Sequence, residues 1–150
     1  MIHNLLEYEE GYREKPYLCS EGYPTIGIGK RIGRKGDNVK RFDFTCPKSV
    51  AYAWLDDELK VIGIELNKHA WFTNLSDDRR CIVASMAYQM GMSGLFKFKN
   101  MIKHLSNENY ERAAKEALNS RWAKQTPQRA NRHAEVLKNN NLVEVYEGKF

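Results

Sequence analysis

Apolar positions recur along this chain with two different periods. Ile2, Leu5, Leu6 and Glu9 share one helical face and Gly11 follows them, which predicts a helix over residues 2–10 with Glu10 in its last turn. From Pro16 the pattern alternates instead. A Ser20-Glu21-Gly22 turn leads into a strand over residues 23–29, with Pro24, Ile26 and Ile28 on one face and Tyr23, Thr25, Gly27 and Gly29 on the other. Pro24 argues for an edge or irregular strand, and two glycines beside a hydroxyl leave the second face open to a ligand. Gly33-Arg34-Lys35-Gly36 reads as another turn, so a sheet of two or three strands ends near Phe44.

The period then returns to that of a helix. Thr45 ahead of Cys46-Pro47 reads as a capped start, and Ala51, Leu55, Leu59, Ile62 and Leu66, thickened by Trp54, draw one apolar stripe over residues 46–66. Asn74-Leu75-Ser76-Asp77-Asp78 is a second start, before an apolar run from Cys81 to Met90 that Gly91 ends. Apolar residues on several of its faces make this the central helix of a larger lobe. Further helices are expected over residues 93–105, 107–124 and 126–137, and Asn139-Asn140-Asn141 breaks the last. The pattern predicts an α+β fold, mostly helical, in one domain over residues 1–150.

Composition narrows the classes. A chain of 150 residues buries a core without metals or cross-links, and 42% hydrophobic with 29% charged residues excludes a disordered chain. Cys19, Cys46 and Cys81 are odd in number and never form a C-x-x-C pair, which argues against a disulfide framework or a zinc site and fits a reducing compartment. No signal-like segment and no run near the ~20 apolar residues of a membrane span stands out, so a cytosolic protein without membrane insertion is expected. The net charge of +5, with Lys115, Arg121, Lys124, Arg129, Arg132 and Lys138 in the last third, favours an anionic partner. Zinc-finger, RNP-like and P-loop patterns are absent, and His3, His69, His104 and His133 are isolated, so neither a cofactor nor a specific nucleic acid is expected.

The candidate chemistry lies early in the chain. Glu10 faces the negative end of the helix dipole with Glu7 and Glu9 as neighbours, and both effects favour the protonated form that a general acid needs. Eight residues separate Glu10 from Cys19 and five separate Cys19 from Thr25, so a helix end and both arms of a hairpin can converge on one cleft.

In this spacing the chain resembles the phage-type lysozymes, the muramidase family of the T-even phages, whose motif is Glu, eight residues, Asp or less often Cys, five residues, then Thr. The resemblance extends through Glu21-Gly22-Tyr23, Thr25-Ile26-Gly27-Ile28-Gly29, Met86-Ala87-Tyr88-Gln89-Met90-Gly91 and the stretch from Ser120 to Arg129. It implies a two-lobed lysozyme-like fold. A small sheet lobe over about residues 11–45 and a helical lobe over about residues 67–150, which also takes the N-terminal helix, would be joined by the helix over about residues 46–66, with peptidoglycan in the cleft between them. The bond cut would be the β-1,4 link from N-acetylmuramic acid to N-acetylglucosamine. Glu10 takes the place of the family's proton donor, Thr25 that of the threonine that positions water, and Arg129 that of the arginine paired with the catalytic Glu. Glu21, Gly29, Arg31, Tyr88, Gln89, Met101, Glu116 and Arg121 fall at supporting or substrate-side positions. The resemblance thus implies an endolysin, a monomer that waits in the host cytoplasm until a holin opens the inner membrane.

Two departures from the family pattern carry physical consequences. Cys19 stands where a carboxylate would activate water or face the oxocarbenium-like centre. A free thiol titrates near ~8.5, yet thiolate is a strong nucleophile, so Cys19 is expected to take the second catalytic role. Lys30 occupies a family histidine position, and counting from the Thr45 cap predicts an ion pair with Asp56. Two other readings remain open at this level. One is a cysteine amidase or endopeptidase with Cys19 as nucleophile and one of the four histidines as base. The other is a non-catalytic wall- or nucleic-acid-binding module.

Overall fold

A computed structural model describes residues 1–150. Its elements run α1 (Ile2–Glu10), β1 (Arg13–Leu18), β2 (Pro24–Gly27), β3 (Lys30–Arg31), a 3-10 turn (Val39–Arg41), α2 (Lys48–Leu66), α3 (Ala70–Thr73), α4 (Asp77–Phe96), α5 (Lys99–Ser106), α6 (Tyr110–Leu118), α7 (Arg121–Gln125), α8 (Pro127–Asn139) and α9 (Leu142–Val145). The fold is α+β and mostly helical, with one small antiparallel sheet. The chain divides into two compact units, Met1–Glu58 and Leu59–Phe150, and α2 runs from the first into the second. No helix is long and apolar enough to cross a membrane.

In the first unit the strands pair in the order β1-β2-β3. The strand around Pro24 is therefore central, not an edge. Proline is tolerated there because it is the first residue of β2, and its carbonyl still accepts a 2.9 Å bond from the Ile32 N–H. Tyr17 pairs with Thr25 and Arg13 with Gly27, so β1 spans four steps where β2 spans two; the extra residues bulge between Arg13 and Tyr17, a stretch that includes Pro16, which has no N–H to give the ladder. Ile26, Ile28, Ala51, Leu55, Leu5 and Leu6 are buried, closing the sheet and α2 over α1. Gly27 has a positive φ of 66°, and a Cβ there would stand 3.2 Å from the Ala51 Cβ and 3.5 Å from Cys46 Sγ. This glycine lets α2 approach the sheet, rather than opening the strand to a ligand.

Helix α2 starts later than its sequence signal. The Ala51 N–H bonds the Pro47 carbonyl at 3.1 Å, so Pro47, not Thr45, stands at the helix entry. The ion-pair register moves with it: Lys30 bonds Glu58 at 3.0 Å, and Asp56 pairs with His3 of α1. The expected Lys30–Asp56 pair is not formed. Helix α1 is further tied to α2 by Glu7, which accepts from Tyr52 and from Lys48 at 2.6 Å. Through these contacts α1 is held within the unit Met1–Glu58 that also carries the sheet.

The second unit is helical throughout. Ser76 caps α4, with its Oγ accepting from the Arg79 N–H and Asp77 and Asp78 in the first turn, where the dipole favours acids. Gly91 ends the regular helix at φ 78°, and a last short stretch follows to Phe96. The single helix expected over residues 107–124 is two, because Ser120 starts α7 by accepting from the Ala123 N–H at 3.1 Å. Ala113, Ala114 and Ala117 of α6 and Ala130 and Ala134 of α8 are buried, and these small side chains let the two helices pack closely.

A polar chain crosses this apolar core. His133, 0% exposed, meets the Ser85 hydroxyl through Nε2 at 2.8 Å and the Tyr146 hydroxyl through Nδ1 at 3.1 Å. Burial, then the charges of Arg129 and Arg132, hold the imidazole well below its ordinary value of 6.5. The unfolded chain therefore binds a proton near pH 6.5 that the folded chain refuses, so this stability is complete above that pH and falls as pH drops below it. Urea unfolding should show a loss of up to about 1.4 kcal/mol per pH unit between about pH 6 and 5. His133→Gln should flatten that slope; an unchanged slope would assign it to other groups.

Candidate active site

Helix α1 ends where the sheet begins, and that junction places Glu10. Its carboxylate lies against Gly29, which follows β2 at φ 66°: a Cβ added there would stand 2.9 Å from Glu10 Oε2 and 3.3 Å from its Cδ. Only a residue without a side chain fits both the backbone angle and the approach. Gly29→Ala should cost about 1–2 kcal/mol in the left-handed backbone and push the carboxylate away. Thermal melting should show the first effect, and a loss of activity of about tenfold to a hundredfold the second.

Cys19 sits just before the turn between β1 and β2. Its N–H donates to the Tyr23 carbonyl at 3.0 Å and its carbonyl accepts from the Gly22 N–H at 2.9 Å, which closes the turn. Burial pushes the thiol up, but the backbone N–H groups of Tyr23 and Glu21, the Thr25 hydroxyl and the Arg31 charge together outweigh it, and the thiol lies below its ordinary value. Thr25, 2% exposed, donates to the Tyr23 carbonyl at 2.8 Å. Thr25 faces Arg31 across the β2–β3 ladder. Arg31 in turn bonds Glu21 at 2.6 Å and lies 3.9 Å over the Tyr23 ring.

Tyr17 had no assignment in the sequence. Burial raises its phenol above the ordinary value; the Glu10 charge adds to the rise, the Arg13 charge opposes it and the Cys19 charge adds to it. Its pairing with Thr25 across the β1–β2 ladder follows the register shift between Arg13 and Tyr17, which simple alternation does not reveal. The first unit therefore brings together Glu10, Cys19, Glu21, Thr25, Gly29 and Arg31.

The remaining sequence-derived candidates belong to the second unit. Arg129 is 6% exposed and its Nη2 donates to the Ser85 hydroxyl at 2.9 Å and the Ser85 carbonyl at 3.3 Å, at one end of the His133 chain. The Gln89 Oε1 accepts from the Trp122 indole at 2.8 Å. Tyr88 and Glu116 are half-buried and Arg121 is exposed at the start of α7. Met101, expected on the substrate side, is 1% exposed: it is part of the apolar core and offers no surface to a ligand.

The small sheet with its helix-end glutamate and the helical unit together have the build of a lysozyme-like protein. The family model described as phage lysozyme matches residues 7–139, a stretch holding Glu10, Cys19, Thr25 and Arg129, and the chain belongs to that family. Among curated relatives, "Probable T4-type lysozyme 1" of Dictyostelium discoideum is 30% identical over 94% of this chain and 95% of its own length. The "Pre-baseplate central spike protein Gp5" of Enterobacteria phage T4 is 29% identical over 92% of this chain but 28% of its own length. The "Peptidoglycan hydrolase gp36" of Pseudomonas phage phiKMV is 28% identical over 81% of this chain and 13% of its own.

Proposed function

We propose that this protein is an endolysin that hydrolyses the β-1,4 bond between N-acetylmuramic acid and N-acetylglucosamine in bacterial peptidoglycan. The observation that carries the reading is the placement of the Glu10 carboxylate against Gly29, on the same hairpin that bears Cys19 and Thr25. Glu10 protonates the leaving glycosidic oxygen as general acid. Cys19 supplies the second group, as thiolate nucleophile or as base toward water, and Thr25 orients the water. Glu21, Gly29 and Arg31 support these groups. On the helical unit Arg129, Tyr88, Gln89, Glu116 and Arg121 are supporting or substrate-side residues. Membership of the phage lysozyme family and the name of the phiKMV relative, a peptidoglycan hydrolase, support the substrate class.

A cysteine amidase or peptidase would need an imidazole beside the thiol. Burial raises the Cys19 thiol, and backbone N–H groups, a hydroxyl and a guanidinium lower it, while His3 is engaged by Asp56 and both nitrogens of His133 by Ser85 and Tyr146. This favours the glycosidase. In this reading the enzyme acts as a monomer, waits in the host cytoplasm, and reaches the wall once a holin has opened the inner membrane. Turbidity clearing of permeabilised Gram-negative cells tests the proposal: wild type should clear them, Glu10→Gln and Cys19→Ser should not. Clearing by Glu10→Gln at the wild-type rate would refute it.

A further inference from the structure

The helical unit carries a cavity that none of the groups assigned above uses. It lies where α3 meets the connection between α5 and α6, and it measures about 180 Å³. Trp71 and Tyr110 line it together with buried Leu75 and Leu105, and Asn74, Asn107 and Glu108 supply polar groups. Ligand sites share this make-up of aromatic surfaces and a few polar groups, although this one is smaller than the about 300–1,000 Å³ of a drug-sized site. Its size suits a single ring.

Both aromatic side chains are held before any ligand arrives. The Trp71 indole meets the Phe72 ring edge-on at 6.2 Å and the His69 imidazole at 6.0 Å. Tyr110 has the Arg79 guanidinium 3.5 Å over its ring, and that arginine is itself fixed by the Leu137 carbonyl at 2.7 Å and the Lys138 carbonyl at 3.2 Å. The polar side of the cavity is fixed as well. The Glu108 N–H donates to the Leu105 carbonyl at 3.1 Å, and the Asn109 side chain starts α6 by accepting from the Arg112 N–H. Glu108 takes φ 56° there, a left-handed conformation that glycine adopts freely and glutamate does not. A carboxylate is thus kept at a position where the backbone favours glycine, and strain of this kind collects at ligand sites.

The lining defines the ligand by its chemistry. One face of a pyranose ring presents C–H bonds, whose slight positive charge suits the negative face of an aromatic ring. The Asn74 and Asn107 amides can exchange hydrogen bonds with an acetamide or a hydroxyl, and the Glu108 carboxylate accepts from hydroxyls. No lysine, arginine or histidine lines the cavity, so a neutral sugar fits it and an anion does not. We propose that this cavity is a second glycan site, one that holds a neutral N-acetylglucosamine unit of the wall polymer and is separate from the residues assigned to cutting it. The inference rests on the reading of peptidoglycan as the substrate. A second hold on an insoluble strand keeps the enzyme on the wall between cuts, because rebinding then becomes local.

The test is an NMR titration of isotope-labelled protein with chitotriose, a soluble trimer of N-acetylglucosamine, followed at the Trp71 indole N–H, which the loss of that signal in Trp71→Phe identifies. The Trp71 signal should move and saturate in the millimolar range, in wild type and Glu10→Gln alike. Glu108→Gly removes the carboxylate and relaxes the backbone, so it should weaken chitotriose binding at Trp71 about threefold or more while the melting temperature stays level or rises. On insoluble peptidoglycan, Glu10→Gln protein should sediment with the wall, and adding Trp71→Ala should lower its retention about threefold or more. A Trp71 signal that chitotriose leaves unmoved overturns the inference, as does one moved by free stem peptide and not by the sugar. An unmoved signal with an inactive Glu10→Gln would remove the glycan site and leave the catalytic reading intact. A Trp71 response to the sugar with full lysis by Glu10→Gln would do the reverse.

Discussion

Replacing Glu10 with Gln is expected to lower bacteriolysis by about 10²- to 10⁴-fold, the usual contribution of a positioned general acid, with no loss of folding stability. The side chain is isosteric, so the contact with Gly29 persists and only the transferable proton is lost. Glu10 ends α1, whose Leu5 and Leu6 are fully buried, while Glu7 is locked to Lys48 and Tyr52 of α2. The carboxylate is thus mounted on a helix fixed at both its apolar and its polar face. A rate loss accompanied by an unchanged melting temperature would show that the residue acts in chemistry. A loss of both would make it structural.

The second large effect concerns Cys19. Alkylation should abolish lysis, because it removes the thiolate and places a bulky group in the turn closed by Gly22 and Tyr23. Cys19→Ser should lose about a hundredfold or more, since a hydroxyl ionises far less readily than a thiol. Cys19→Asp should retain activity, because the same turn N–H groups that hold the thiol below its ordinary value can receive a carboxylate. The Cys19→Asp protein, which should remain active, treated with the same reagent separates this effect from alkylation at half-buried Cys81. Full lysis after complete modification of Cys19 would remove it from the mechanism.

Much of this site could be read before the structure, and the parts that could not share a cause. Helix α1, its end at Gly11 and the spacing from Glu10 to Cys19 to Thr25 are local, and they appear in the structure where the pattern places them. The bare face around Gly29 was also legible, although its neighbour is Glu10. Gly27 carries the same alternation signal yet serves the packing of α2, and nothing in the strand itself distinguishes the two. Lys30 found an acid on α2, but two residues beyond the expected Asp56, because the helix enters at Pro47 instead of Thr45. Tyr17 was hidden by the register shift between Arg13 and Tyr17, and the centrality of β2 by reading Pro24 without its position in the strand. The chain from Arg129 through Ser85 and His133 to Tyr146 joins residues up to 61 positions apart, and an isolated histidine gives no sign of what will face it. Each miss is a tertiary contact that periodicity does not encode.

The central claim is that this site cuts the glycan strand rather than the peptide. It is tested most directly by digesting purified peptidoglycan and titrating both product classes, new reducing ends and new free amines, with wild type and Glu10→Gln. Reducing ends should accumulate with wild type, with no amines above background, and neither product should form with Glu10→Gln. New amines without new reducing ends would contradict it.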